Sequence, residues 1–267
     1  MIKYINIFLT NFFGLRISKV KKPEILSMIK KWKPYDVGYE LIRVGGDADG
    51  GYLAPDILSK SSYLFSPGCG NVFSFEEDMF KRNIKSFITD HTVNISPENS
   101  KKFNFIKKKL NTFNDETNIT LKKWINDSLS EENQNNLILQ MDIEGSEFQV
   151  ILNADDEDLK KFNILIIEFH FYNFTAQEHF TNKIINNCFD KLLKNFDICH
   201  LHPNNGSYFL HIGNVKLPRN LEFTFINKKL VKYRKEIKSL PHPKDQKNVP
   251  NKPDLKLEKY FYKRDEK

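Results

Sequence analysis

Apolar residues along this chain fall into two rhythms. Near-continuous apolar runs at 63–66, 86–88, 137–141 and 164–167 have the density of strands buried on both faces of a parallel sheet. Between them, apolar residues return every three or four positions, the period of an amphipathic helix. Phe75 and Met79 share one such face, Leu121, Trp124 and Ile125 a second, and Phe148, Val150, Ile151 and Leu152 a third. Phe103, Ile106 and Leu110 predict a lysine-coated helix from Ser96-Pro97-Glu98 onward. Thr175 and Glu178 predict a capping box for a helix carrying Phe180, Ile184, Cys188 and Leu192. Ile25, Met28, Ile29 and Trp32 mark an N-terminal helix broken by Pro34. Late runs at 196–201, 208–212 and 221–226 read as strands, the second pairing back after a turn at His202-Pro203-Asn204-Asn205-Gly206. This order predicts an α/β fold: a mostly parallel central sheet, helices on both faces, and antiparallel strands at the C-terminal end.

Composition narrows the picture. A chain of 267 residues with 40% hydrophobic content and 23 phenylalanines can bury one substantial core. We divide it into an N-terminal helical extension (1–40), a catalytic-type domain (41–227) and a basic C-terminal arm (228–267) that wraps the domain or stays mobile. The opening is apolar but has no small-x-small cleavage site and runs into Arg16, Lys19, Lys21 and Lys22. It therefore reads as a helix rather than a leader, and the expected location is cytoplasmic. No run reaches the roughly 18 apolar residues of a membrane span, although peripheral membrane contact stays open. The net charge of +7 favours an anionic partner, but much of the excess sits in the arm. Without zinc-finger spacing or an RNA-binding aromatic signature, nucleic acid is not the expected partner. Cys69, Cys188 and Cys199 are unpaired in spacing and read as filler in a reducing compartment.

The chemistry gathers at strand ends. From Tyr63 to Asp90 the chain runs strand, glycine turn, helix, strand and acid. Such a turn lets backbone approach a ligand, and an acid about twenty residues on is where a nucleoside ribose is held. Any α/β unit has a glycine turn, and this one is not GxGxxG, so the spacing alone leaves a plain turn open. Asp90, Asp142, Glu144, Glu168 and His170 all follow strands, and ligands of open parallel sheets sit beyond those ends. Upstream, two glycine pairs around Asp47 and Asp49, flanked by Arg43 and Tyr52, predict a hairpin that is either structural or a lid over a cofactor.

At residue level the chain resembles the FkbM family of S-adenosylmethionine-dependent methyltransferases, with their Rossmann-like fold. The resemblance is carried by M-D-I-E-G-S-E at Met141 to Glu147, similar to that family's K-D-V-E-G-A-E. It is supported by S-x-G-x-x-x-x-x-S-F-E from Ser66 to Glu76, R-V-G-G-x-x-D-G-G-Y from Arg43 to Tyr52, and H-x-N-N from His202 to Asn205. Met141 stands where the family commonly has lysine. The resemblance implies that Ser66, Gly68, Gly70, Phe75 and Glu76 cradle the methionine part of S-adenosylmethionine and that Asp90 holds the ribose. It also implies that Asp142 and Glu144 sit beside the sulfonium; the glycine-rich loop just upstream of the first strand is expected to lay Arg43, Asp49 and Tyr52 as a lid over the methionine end.

A sugar hydroxyl needs a base, or a metal to acidify it, before it attacks a methyl group. Asp142, His170 and His202 are the candidate bases. Glu168, Asn204 and Asn205 are candidate acceptor contacts. A direct base is preferred to a divalent metal, which Asp142, Glu144, His170 and His202 would hold. The expected activity is O-methylation of a nucleotide-linked, phosphorylated or polysaccharide sugar. A nicotinamide-dependent sugar enzyme and a non-catalytic scaffold of a glycan-assembly complex are the alternatives.

Overall fold

Every residue of the segment Phe162–His170 is buried, so it can only lie inside a sheet covered on both sides. The computed structural model describes residues 2–13 and 19–263. Its main strands are β1 (Leu41–Val44), β2 (Tyr52–Pro55), β3 (Tyr63–Pro67), β4 (Lys85–Thr89), β5 (Asn104–Ile106), β6 (Leu137–Met141), β7 (Phe162–His170), β8 (Phe196–Pro203), β9 (Phe209–Ile212), β10 (Val215–Pro218) and β11 (Asn220–Asn227). The helices that position the site are α1 (Ile2–Phe13), α2 (Lys22–Lys31), α3 (Ser74–Lys81), α4 (Leu121–Ser128), α5 (Glu147–Asn153) and α6 (Asn186–Asn195). The central sheet has seven strands in the order β8-β11-β7-β6-β3-β4-β5. Strands β7, β6, β3, β4 and β5 run parallel, and β11 enters antiparallel between β7 and β8.

Alternation along the strands builds two different faces. On the first, Phe65, Leu139, Leu165, Ile167, Phe169, Phe223 and Phe225 join a core closed by α2, α4, α5 and α6. On the second, Leu64, Ile138, Ile164, Ile166 and Ile226 pack under Phe75 and Met79 of α3 and under the β1–β2 hairpin. Toward the carboxyl ends this second face turns polar, with Ser66, Gln140, Glu168, His170, Glu222, His200 and His202 all buried. Register places Glu168 opposite Glu222 and Glu222 opposite His202, so one row crosses three strands. The segment 240–254 lies over this row. Asp245 accepts from His200 Nε2 (2.8 Å), and Asn248 Nδ2 donates to Glu222 Oε1 (2.7 Å).

Three local expectations are corrected. The helix expected over 97–110 is one turn, Asn99–Lys102, followed by edge strand β5. Phe103 and Phe105 pack two residues apart against Ile88 and Phe73, and that period of two overrides the helical spacing. Thr175 does not cap a helix. It is buried, Gln177 takes the cap position before Glu178–Phe180, and a wide turn at Thr181–Ile185 leads into α6. Tyr208 to Ile212 does not return to the main sheet; β9 pairs with β10 in a separate hairpin, and β11 takes the sheet position.

At the N-terminus, α1 leaves Tyr4 and Phe12 exposed, whereas α2 docks fully. Among the described residues no helix is long and apolar enough to cross a membrane. Trp32, which ends α2, is wholly buried against Phe171, Phe189 and Phe223 at ring separations of 5.3, 4.7 and 5.4 Å. Trp32→Ala should therefore cost about 3–5 kcal/mol, the range for truncating a buried aromatic. Urea unfolding checks this; a loss below about 1 kcal/mol would mean that α2 is not part of the core.

Candidate functional site

Two strand ends are stitched together by glycine. Pro67 O accepts the Asp142 N–H (3.2 Å), and Gly68 N donates to Thr89 O (2.9 Å). At Gly68 the backbone is left-handed (φ +82°), and a Cβ there would lie 1.7 Å from the Asp142 carbonyl oxygen. No side chain fits, so the turn after β3 rests directly on the end of β6. Gly70 N donates to Asp90 Oδ2 (2.9 Å), while Asp90 Oδ1 accepts from the Thr92 N–H (2.7 Å) and hydroxyl (2.6 Å). A carboxylate offers about four acceptor positions, so Asp90 keeps one free, on Oδ2.

Above these ends opens a cavity of about 400 Å³, lined by Gly68, Gly70, Asp90, Asp142 and Glu144 among others. Phe75, Glu76, Asp49 and Tyr52 also face it. Glu76 is buried, which pushes its carboxyl up to about 7, and its Oε2 has no hydrogen-bond partner. Its Oε1 accepts from the Ser66 hydroxyl, which also lies 2.6 Å from Gln140 Oε1. One hydroxyl proton cannot serve two acceptors. Read with its amide turned over, Gln140 donates to Ser66 and accepts from the Tyr52 hydroxyl at the other end (3.4 Å), so the whole chain points toward Glu76.

Beside the cavity stands His170, buried at the end of β7. Its Nδ1 donates to Glu147 Oε1 (3.1 Å), and that same oxygen accepts the N–H groups of Gly145 (2.9 Å) and Ile143 (3.2 Å). Its Nε2 faces Glu144 Oε2 (3.2 Å), Asp142 Oδ1 (3.8 Å) and Glu168 Oε1 (3.8 Å). Burial alone would lower the imidazole's pKa, but the carboxylates of Glu147, Glu168 and Asp142 raise it to about 9. Burial raises the carboxyl of Asp142, and the charge of Glu168 adds to the effect; Glu168 itself is raised by burial. At neutral pH His170 thus holds its proton, and Asp142 is the better placed proton acceptor.

The other expected residues are divided between this cavity and other duties. Arg43 donates to Gly46 O (2.8 Å) and Ala48 O (3.1 Å), bracing the hairpin loop from inside, and does not line the cavity. Asn204 Nδ2 donates to both oxygens of Glu168 at 3.2 Å, which brings it to the His170 side. Asn205 instead binds the backbone of Val249 in both directions, at 2.9 and 2.8 Å, and so secures the arm. His202 is not brought to the Asp142 pocket. It lines a second cavity of about 320 Å³ with Asp47, His242, Asp245 and Asp254. Among the described residues, the group spaced for a metal ion is Asp142, Glu147 and His170, without His202.

Sequence reasoning missed Glu147, Glu222 and Asn220. Glu147 sits inside the motif at Met141 to Glu147 but reads as an ordinary helix-start acid. Glu222 is the one acid in the apolar run of β11, which was the available signal; its meaning depends on facing Glu168. Asn220 Nδ2 donates to Glu168 Oε1 at 2.7 Å, a contact that only register reveals.

The sequence profile of the methyltransferase FkbM domain matches residues 62–197, just over half of the chain. No curated protein matches significantly. Among solved structures, a Streptococcus mutans protein assigned as a methyltransferase, in complex with SAH, is similar at 15% identity and a TM-score of 0.31; the match covers 64% of this chain and 93% of that one. A Listeria monocytogenes protein assigned as an S-adenosylmethionine-dependent methyltransferase shows 11% identity, 64% and 93% coverage and a TM-score of 0.32. The 23S rRNA methyltransferase ErmE shows 5% identity, 79% and 70% coverage and a TM-score of 0.34. These three likenesses are loose; the profile match is the one that identifies.

The buried row fixes a pH dependence. Burial, opposed by His202, raises the Glu222 carboxyl to about 8. Burial would lower His202, but Glu222 and Asp245 raise it to about 9. Both groups hold protons in the fold that the unfolded chain releases at lower pH, so stability falls as pH rises. The His202 contribution is complete below about 6.5 and lost through about 9, and Glu222 adds its cost up to about 8. The melting temperature should drop between pH 6.5 and 9.5, less steeply in Glu222→Gln. A flat profile in both proteins would contradict the buried pair.

Proposed function

Since this chain belongs to the FkbM family of S-adenosylmethionine-dependent methyltransferases, we propose that it methylates a hydroxyl of a carbohydrate acceptor. The observation that supports it most is the single cavity shared by the Gly68–Gly70 turn, Asp90, Glu76 and Asp142 at the carboxyl ends of β3, β4 and β6. In that cavity the remaining acceptor position of Asp90 takes a ribose hydroxyl, and the unpartnered Glu76 Oε2 takes the ammonium of the methionine part. Asp49 and Tyr52 close the hairpin side, and the sulfonium lies toward Asp142 and Glu144.

The reaction then needs alignment and one proton acceptor. The acceptor oxygen attacks the methyl carbon in line with the sulfur. S-adenosylmethionine, when bound, would supply the methyl group as its S–C bond gives way to the new C–O bond and would leave as the neutral thioether S-adenosylhomocysteine, and Asp142 would take the hydroxyl proton. Burial, with the charge of Glu168, raises the Asp142 carboxyl and so makes it a stronger base than an ordinary carboxylate. Protonated His170 reaches Glu144 Oε2 at 3.2 Å and faces Asp142 with its charge. The surrounding carboxylates and the Asn204 amide are groups that bind sugar hydroxyls. Any phosphate on the acceptor, as in a nucleotide-linked sugar, must sit outside this ring of negative charge.

Asp90→Ala should weaken S-adenosylmethionine binding by about 1–3 kcal/mol, the scale of hydrogen bonds to a charged group, as read by calorimetry. Asp142→Asn should lower kcat at least about a hundredfold on an activated sugar while leaving cofactor affinity nearly unchanged. Cofactor binding without methyl transfer to any member of a panel of activated and polymeric sugars would sink the carbohydrate reading. Normal turnover by Asp142→Asn would sink the base.

A further inference from the structure

Ten large apolar side chains stand exposed among the described residues, and five of them lie in α1: Tyr4, Ile5, Ile7, Phe8 and Phe12. At helical spacing Tyr4, Phe8 and Phe12 form one ridge and Ile5 and Leu9 the next, while Asn6 and Thr10 fall on the other side. A surface helix ordinarily packs its apolar side inward. In α1 Asn6 is half-buried, whereas Tyr4 is 75% and Phe12 72% exposed. The Phe8 and Phe12 rings lie 4.8 Å apart, so the ridge is continuous, and a continuous exposed apolar patch marks an interaction surface.

The charges that follow the helix say what it meets. Lys19, Lys21 and Lys22 are all exposed. Residues 1–33 hold eight lysines and arginines against one acid, Glu24, whereas residues 34–227 hold 19 against 27. Positive charge is thus set beside the apolar ridge, and the body of the domain is acidic. The arm adds to it: Lys263 O accepts from Lys33 Nζ just beyond α2, and Lys259 and Lys263 are exposed there. With 12 residues α1 is about 18 Å long, too short to cross a bilayer but able to lie in its interface. Apolar contact and basic residues together give firmer attachment to anionic headgroups than either alone. A second copy of this chain on the same ridge would bring two basic segments together, which repel. We infer that α1 docks on an anionic lipid surface, with Tyr4, Ile5, Phe8 and Phe12 at the boundary of headgroups and acyl chains and Lys19, Lys21 and Lys22 on the headgroups.

This docking does not rest on the methyl-transfer reading above, but it bears on where that site stands. Val20 N donates to Ala176 O (2.9 Å), which roots the segment on the chain that follows β7. In that chain the Tyr172 hydroxyl donates to Glu144 O (2.8 Å), and Glu144 lines the cavity. The root of α1 therefore lies at the carboxyl-end side of the sheet, where the cavity opens, and docking holds the rim of the cavity near the lipid.

The test is flotation of the full chain with vesicles of phosphatidylcholine containing about 30% phosphatidylglycerol, against vesicles of phosphatidylcholine alone. Binding to the anionic vesicles is expected, at least about tenfold weaker on the neutral ones and reduced by high salt. Tyr4→Ser with Phe12→Ser should lower affinity for the anionic vesicles at least about tenfold without changing any charge. Both side chains are largely exposed, so the melting temperature should not move. Lys19→Gln, Lys21→Gln and Lys22→Gln together should also cost at least about tenfold. Absence of binding to the anionic vesicles overturns the proposal, as does wild-type binding by the Tyr4→Ser, Phe12→Ser protein. Sedimentation velocity without lipid decides the remaining case: a dimer that the same two substitutions dissociate assigns the ridge to a second copy and overturns lipid docking.

Discussion

The fold is governed by the cost of burying carboxyl groups on one face of its sheet. Glu168, Glu222 and Glu147 are each at most 5% exposed, and an ionised carboxylate so placed must be paired, hydrogen-bonded or protonated. The surrounding structure meets that demand piece by piece. Asn204 and Asn220 satisfy Glu168, Asn248 holds Glu222, and backbone amides with His170 satisfy Oε1 of Glu147 while its Oε2 stays without a partner. The hairpin β1–β2 and the segment 240–254 can be understood as the shielding that lets these groups stay out of water. The opposite face of the same strands is filled mainly by phenylalanines.

The two halves of the site are built on different principles. The half proposed for the cofactor is mostly backbone: the Gly68 turn, its contact with the Asp142 carbonyl and the Asp90 clamp on Gly70 are set by where strands end. Little there depends on rotamers, which suits a ligand whose shape does not change between relatives. The half proposed for the acceptor is made of side chains drawn from β7, β11 and the segments that follow β6 and β8. Such a half can be refitted to another acceptor by substituting a few positions without disturbing the sheet.

This division also explains what the sequence made legible. Strand ends carrying acids are local features, so Asp90, Asp142, Glu144, Glu168 and His170 could be found by reading along the chain. Glu222 could not, because its importance lies in facing Glu168 across an antiparallel pairing that no local pattern encodes. His202 illustrates the converse: it ends a strand on the expected side, yet β11 stands between its strand and β7, and the ring opens toward the arm. The segment 97–110 misleads for a simpler reason. Apolar residues at 103, 105, 106 and 110 fit both periods, and the free edge of β4 decides between them.

Asn248 links two places that the chain keeps far apart. Its carbonyl accepts the Asp49 N–H at 3.1 Å, its amide donates to Asp49 Oδ1 at 3.1 Å, and the same amide holds Glu222. Asp49 belongs to the loop that lines the cavity above Gly68 and Asp90. Lifting that loop therefore means breaking its bonds to the arm, and the arm is fastened to the sheet. Exchange of a bound molecule would then run at the pace of a local opening shared by both segments, and a substitution of residue 248 would alter residence time at the cavity without replacing any residue that lines it.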